Sequence, residues 1–275
     1  MRGHTLILAA ILAGCVSPAL AAPVAADWRM PDADDVLVID TSKGRVIVEL
    51  VPEVAPGHVA RLKELARKGT YDGRTFFRVI DRFMAQTGDP QDTGEGGTDL
   101  PDLKGEFTFR RAADTAFVIA ASPWGTEEGF VKSLPIISQA LSWSEMTADS
   151  KVAAWGSYCP GVVGMARDDN PDSANSQFFL MRQPYMSLDK RYTAFGRVIS
   201  GLEAVRAIKT GEPVAAPQDR MDRVRVMADI PASERPTVRV IDPAGPWFRG
   251  EIERLRNEKG ADFSLCDVNI PVKVE

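Results

Sequence analysis

Phe76-Phe77-Arg78-Val79-Ile80-Asp81-Arg82-Phe83-Met84-Ala85-Gln86 decides how this chain reads, together with Gly164-Met165-Ala166-Arg167 and Ser176-Gln177-Phe178-Phe179-Leu180-Met181. Each stretch is apolar and aromatic and carries very few polar groups. In an extended strand successive side chains point to opposite faces, so Arg78 and Ile80 part company with Phe77 and Val79. An apolar hollow with a few placed hydrogen-bonding groups is the usual make-up of a small-ligand site. Arg78, Gln86 and Gln177 are the groups available for it.

Outward from these stretches the chain alternates short strands with turns. Val36 to Asp40 and Arg45 to Val51 predict a hairpin across the turn cluster Thr41-Ser42-Lys43-Gly44. A helix is expected from Pro56, with Val59, Leu62, Leu65 and Ala66 on one face and Gly69 as its stop. Strands follow at Thr75 to Ile80 and Met84 to Gln86, and the glycine-rich Gly88 to Pro101 reads as loop. Further strands are expected at Val162 to Ala166, Gln177 to Met181, Ala194 to Ile199 and Met221 to Met227, with a second helix over Gly201 to Lys209. Many short strands, two helices and no strand-helix-strand alternation predict a mainly β fold: a closed antiparallel barrel capped by two α-helices.

The chain has 275 residues, 44% apolar and 26% charged, which suits a globular protein. Its net charge of -5 argues against nucleic acid as a partner, since phosphate binding needs a basic patch. Residues 1–21 read as an export signal: Arg2 and His4, an apolar run from Thr5 to Ala13, and the small residues Ala19-Leu20-Ala21. A second reading stays open, in which Leu12-Ala13-Gly14-Cys15 resembles a bacterial lipoprotein box, residues 1–14 are removed and a lipidated Cys15 attaches the protein to a membrane. On either reading the mature protein is exported and periplasmic. Residues 22–35 read as a linker. Cys159 and Cys266 are then an even pair in an oxidising compartment, either bridged or free.

Few chemistries fit the remaining residues. His58 is the one histidine beyond the signal and is expected to be an ordinary, partly exposed helix residue. No G-x-S-x-G elbow exists, and the histidine count excludes histidine-rich metal sites. Asp168-Asp169-Asn170-Pro171-Asp172-Ser173 lacks the glycine and glutamate of a calcium loop and reads as a surface turn. Gly94-Glu95-Gly96-Gly97 has no following Lys-Ser/Thr and reads as tight-turn glycine rather than a phosphate loop.

The segments quoted at the outset, in register with one another, resemble the active-site strands of the cyclophilin-type peptidyl-prolyl cis-trans isomerases, and the resemblance runs from Val36 to Met227. It implies an isomerase domain over 36–230, interrupted by an insertion over 108–160 and followed by an extension over 231–275. The insertion carries Trp124, Trp143, Trp155 and the apolar Ala116 to Ala121, so it is expected to be ordered and packed on the barrel. The extension has a strand-like Val238 to Ile241 and a helical stretch over Trp247 to Lys259.

By the same resemblance Arg78 is the catalytic residue, and Phe83, Met84, Phe179 and Leu188 are walls of a proline pocket. Gln86 and Gln177 orient the substrate backbone, beside Ala166 and Arg167. Tyr192 stands where many members have a histidine and keeps an aromatic wall with a polar tip. Ser187 replaces a tryptophan that contributes to cyclosporin binding, which implies weak affinity for that drug. Arg167 replaces an asparagine and is expected to favour acidic residues near the proline. The implied partners are proline-containing polypeptides of exported chains, with no cofactor and no metal. The alternative is a cyclophilin-like binding module or chaperone whose insertion and tail engage a partner.

Overall fold

The computed structural model describes residues 21–275. Residues 1–20, which hold Cys15 and all but the last residue of the expected export signal, lie outside them. In chain order the first elements are β1 (Trp28–Arg29), β2 (Val36–Thr41), β3 (Gly44–Leu50), α1 (Pro56–Arg67), β4 (Arg78–Val79) and β5 (Met84–Thr87). The insertion follows with β6 (Phe109–Arg111), β7 (Val118–Ala121), β8 (Thr126–Val131), β9 (Leu134–Gln139) and β10 (Val152–Gly156). Then come β11 (Val162–Met165), β12 (Phe178–Met181), β13 (Ala194–Ser200), α2 (Leu202–Ala207) and β14 (Met221–Val226). The tail adds β15 (Val238–Ile241), α3 (Pro246–Lys259) and β16 (Val272–Val274).

Eight of these strands form one antiparallel sheet in the order β14-β2-β3-β13-β11-β12-β5-β4. The sheet curls until its edges meet. Phe76 N–H donates to Asp219 O at 2.8 Å, Met221 N–H to Arg74 O at 2.9 Å, and Thr75 bridges Arg220. These contacts explain why regular strand β4 covers only two residues of the expected Thr75 to Ile80: residues 73–76 turn to join the other edge. Leu37, Ile39, Val46, Val48, Phe76, Phe178 and Phe195 fill the interior. Val59 and Leu62 of α1, and Ala204 and Val205 of α2, close onto the same core. Pro56 starts α1 with a φ already suited to a helix, and Gly69, at φ +69°, ends it just beyond Lys68.

His58 departs from the expectation of a partly exposed helix residue. It is 1% exposed. The Glu106 carboxylate lies 2.6 Å from its Nδ1 and accepts the N–H groups of Gly57 and His58 at the start of α1. Burial alone would raise the Glu106 carboxyl, but these hydrogen bonds outweigh it and hold the group below its ordinary value. A carboxylate on the free N–H groups of a helix start is favourable on both hydrogen-bonding and dipole grounds.

The insertion forms its own five-stranded antiparallel sheet, in the order β6-β10-β9-β8-β7. Together with the tail it covers the outer face of the barrel. Val36, Val38, Ile47 and Val162 point outward there and join Phe130, Leu134 and Ile136 of the insertion, and Val240, Phe248 and Ile252 of the tail, in a second core. Each large apolar side chain buried in this way contributes about 1.5–3 kcal/mol. The tryptophans carry less of the packing than the sequence suggests: Trp155 is buried, Trp143 is partly exposed and Trp124 is 98% exposed. A disulfide joins Cys159 to Cys266, with Cα atoms 4.9 Å apart, and ties the end of the insertion to the tail. Residues 22–35, expected as a linker, are held down. Strand β1 pairs with β15, and Arg29 donates to both oxygens of the buried Glu49 at 2.6 and 2.9 Å.

Candidate active site

The ladder of β4, β5 and β12 assembles the site on the outer face of the barrel, where Met84 and Phe179 are part of the second core. Arg78 lies opposite Gln86, and Gln86 opposite Phe179. The two-residue alternation of β5 sends Met84 and Gln86 to this face and Ala85 to the interior core. Arg78, Phe83, Met84, Gln86, Ala166, Arg167, Phe179, Leu188 and Tyr192 line one hollow of about 170 Å³. Gln177 lies in an adjoining cavity of about 410 Å³, which shares Gln86, Ala166 and Arg167 with the first. The ten site residues named from the resemblance therefore meet at these two joined hollows, while Ser187 lines neither.

The walls are fixed by aromatic packing. Phe179 meets Tyr192 edge-on at 5.9 Å and lies nearly parallel to Tyr158 at 5.9 Å. Phe83 packs on Tyr185 at 4.5 Å. Gly164 makes the Phe179–Tyr158 arrangement possible, since a Cβ there would come within 2.6 Å of both the Phe179 ring and the Tyr158 hydroxyl. The Arg167 guanidinium lies 4.4 Å from the Tyr192 ring centre and donates to Arg191 O, so it stays at the seam of the two hollows. Ala166 N–H donates to Gln177 O at 2.9 Å and clamps the two strands beside it.

A chain of hydrogen bonds sets the polar groups. Arg78 donates from Nη1 to Gln86 Oε1 at 3.3 Å, and Gln86 Nε2 donates to Gln177 Oε1 at 3.0 Å. Gln177 Nε2 then donates to the carbonyls of Gly94 and Gly96 at 3.1 and 2.8 Å. The glycine loop is shaped by Asp89, which is fully buried and accepts from the backbone N–H groups of Gln91, Thr93, Gly94 and Gly96. Burial would raise the Asp89 carboxyl, yet these donors hold it below its ordinary value. Several of the loop's N–H groups thus point at Asp89, while its carbonyls serve the site.

Two positions that shape the candidate site are absent from the sequence reading. Asp89 is one. The other is Glu212, whose Oε1 accepts from Arg78 Nε at 2.6 Å. The guanidinium is held on two sides, by Glu212 and Gln86, and its remaining N–H groups have no hydrogen-bond partner among the described residues. Glycines 94, 96 and 97 flag the Asp89 loop in the sequence. Nothing local flags Glu212, which reaches Arg78 from 134 residues away.

Comparison with known proteins agrees with this geometry. Residues 36–230 match the family described as cyclophilin type peptidyl-prolyl cis-trans isomerase/CLD. A "Probable peptidyl-prolyl cis-trans isomerase" of Brucella suis biovar 1 (strain 1330) is 35% identical over 191 residues, 66% of this chain and 74% of that protein. Human "Peptidyl-prolyl cis-trans isomerase-like 1" is 29% identical over 206 residues, 74% of this chain and 95% of that one. The crystal structure of cyclophilin AquaCyp293 from Hirschia baltica superimposes with a TM-score of 0.83 at 34% identity, covering 90% of this chain and 93% of its own. That coverage reaches beyond residues 36–230. The chain belongs to the cyclophilin-type peptidyl-prolyl cis-trans isomerases. Its activity is the family's, rotation about the peptide bond that precedes proline.

Proposed function

We propose that Arg78 carries the isomerisation by donating a hydrogen bond to the proline nitrogen as the amide twists. Rotation about a peptide bond faces a barrier of about 18–20 kcal/mol because amide resonance must be broken. In the twisted state the nitrogen becomes pyramidal and regains a lone pair that neither planar state offers. A donor aimed at that lone pair binds the transition state more tightly than either ground state. Lowering the barrier by about 7 kcal/mol would speed the step by roughly five powers of ten. Phe83, Met84, Phe179, Leu188 and Tyr192 hold the proline ring, while Gln86, Gln177 and the backbone at Ala166 and Arg167 orient the chain before it. The Arg167 guanidinium at the seam supports a preference for acidic residues near the proline. The observation that carries the reading is the fixed guanidinium above an apolar, proline-sized hollow.

The clients are exported polypeptides. The apolar run from Thr5 to Ala13 and the Cys159–Cys266 disulfide both support a periplasmic protein, since such bonds persist in oxidising compartments. Mass spectrometry of the mature N-terminus separates the two leader readings: a start at Ala22 means a soluble protein, and a lipidated Cys15 means a membrane-attached one.

Exchange NMR on a short Ala-Pro peptide tests the mechanism. Wild type should broaden the cis and trans lines, and Arg78→Ala should reduce the exchange rate by about 10²–10³-fold, the usual loss of one preorganised transition-state donor. A folded Arg78→Ala protein with undiminished exchange would remove Arg78 from the mechanism.

A further inference from the structure

Arg197 of β13 stands opposite Glu49 of β3, on the barrel face that the insertion and tail cover, and is 8% exposed. Its only hydrogen-bond partners among the described residues are two backbone carbonyls, Ser133 O at 3.2 Å and Val268 O at 3.3 Å. Glu49 does not neutralise it. Both Glu49 oxygens are taken by Arg29, and Oε2 also accepts the Ser133 N–H. Arg29, Glu49 and Arg197 therefore leave one positive charge over. A guanidinium has five N–H donors and Arg197 uses two of them on long bonds. Buried charges are ordinarily paired, because leaving one alone in a poorly solvated place is costly.

Beside Arg197 lies a cavity of about 300 Å³, where the insertion, the barrel and the tail meet. Ser133 lines it too, with a hydroxyl that is closed off from solvent and has no hydrogen-bond partner among the described residues. Its lining is mostly polar, with Ser200 and Asn269 among it, and Ile199, Leu202 and Ile270 supply an aliphatic part. The one acid that lines it, Glu203, is exposed.

We propose that this cavity is a binding site for a small aliphatic monocarboxylate, held by the Arg197 guanidinium. The planar guanidinium matches a carboxylate, and a charge-assisted bond in a sheltered site is strong. The aliphatic part suits a short hydrocarbon tail. Glu203 at the rim disfavours a second negative charge and so selects against phosphate. Burial pushes Arg197 down to about 10, which leaves it charged at neutral pH.

Titration calorimetry of the full mature protein with propionate, propionamide and inorganic phosphate, at constant ionic strength, tests the site. Propionate should bind saturably to one site, phosphate more weakly, and the uncharged propionamide not at all. Arg197→Met should weaken propionate by about tenfold or more, the value of a charged hydrogen bond, with Ala-Pro isomerisation unchanged. Ser200→Trp fills the cavity from its rim, keeps Arg197, and should abolish binding even if Arg197→Met fails to fold. No saturable propionate binding by folded wild type, equal binding by wild type and Ser200→Trp, or phosphate bound as tightly as propionate would each overturn the assignment.

Discussion

The outer wall of this barrel is used in two opposite ways. Along β2, β3 and β13 it is sealed: Val36, Val38 and Ile47 are at most 1% exposed beneath the insertion and tail, although they point away from the barrel interior. Along β4, β5 and β12 it keeps an accessible hollow, and the same alternation puts the partly exposed Arg78 and Gln86 beside the buried Met84 and Phe179. A largely apolar face gains from being covered, and the charges beneath it, Glu49 and Arg197, are hydrogen-bonded by the insertion and tail, whereas Arg78 can serve a ligand only if its hollow stays accessible. Breaking the sealed side should cost stability and spare chemistry. Breaking the open side should do the reverse.

The sealed side offers the largest effect. The disulfide closes a loop with a sequence separation of 107. On the chain-entropy account a loop of that length is worth about 4–5 kcal/mol, although measured values for disulfides are typically about 2–4. Cys266→Ser should therefore lower the urea midpoint sharply, while the isomerisation rate at low temperature stays within about twofold of wild type. A large loss of rate in the still-folded variant would show that the sealed side reaches the site.

One position does join the two sides. Gly164 lets Tyr158, at the end of the insertion, stack on Phe179 of the pocket. Gly164→Ala puts a methyl group where neither neighbour has room, and overpacking of this kind costs about 1–3 kcal/mol. It should lower stability and also displace Phe179 into the hollow, raising KM for Ala-Pro peptides. A variant with lowered stability and wild-type KM would mean that Phe179 yields elsewhere.

The same contrast explains what the sequence made legible. The barrel was readable because its strands end in turn residues and its helices in Pro56 and Gly69. The pocket was readable because Arg78, Gln86 and Phe179 sit at fixed places in short strands. The insertion's sheet was not. Its β8–β9 hairpin turns at Lys132-Ser133, with Lys132 at φ +51°. That turn lacks the Asn-Gly or Asp-Gly pair that marks such hairpins. The run Val36-Leu37-Val38-Ile39 shows no alternation because both of its faces are buried, and in a sequence that pattern is compatible with several kinds of buried strand. The burial of His58 and the roles of Asp89 and Glu212 depend on contacts that spacing does not encode. Glu106, for instance, reaches His58 from 48 residues away.

On the open side a smaller effect comes from Glu212. Its carboxylate is about half-exposed, so its grip on Arg78 is screened by water and salt. Glu212→Gln should lower kcat by about threefold with KM little changed, the scale of a screened ion pair. Added salt should bring wild type toward the variant. An increase in kcat would instead mean that Glu212 competes with substrate for the guanidinium.

A further effect lies between the two sides, at Asp189, next to the pocket residue Leu188. Burial raises its carboxyl from 3.8 to about 6, against the opposing hydrogen bonds from the Tyr158 N–H and the Ser157 hydroxyl and the nearby charge of Lys190. A carboxyl with a raised value in the folded state binds its proton more tightly there than in the unfolded chain. The folded state therefore holds more protons between about 3.8 and about 6, and stability falls as pH rises through that window. Above it the slope vanishes, because both states are then ionised. Asp189→Asn should remove this slope, so the difference in unfolding free energy between wild type and variant should favour wild type more at the acid end than at neutral pH. The contact at stake is Tyr158 N–H to Asp189 Oδ1 at 3.0 Å, which fastens the insertion's last turn to the loop carrying Leu188. If the pH slope persists in Asp189→Asn, another carboxyl carries it, and the junction between the sealed and open sides is not pH-sensitive at this residue.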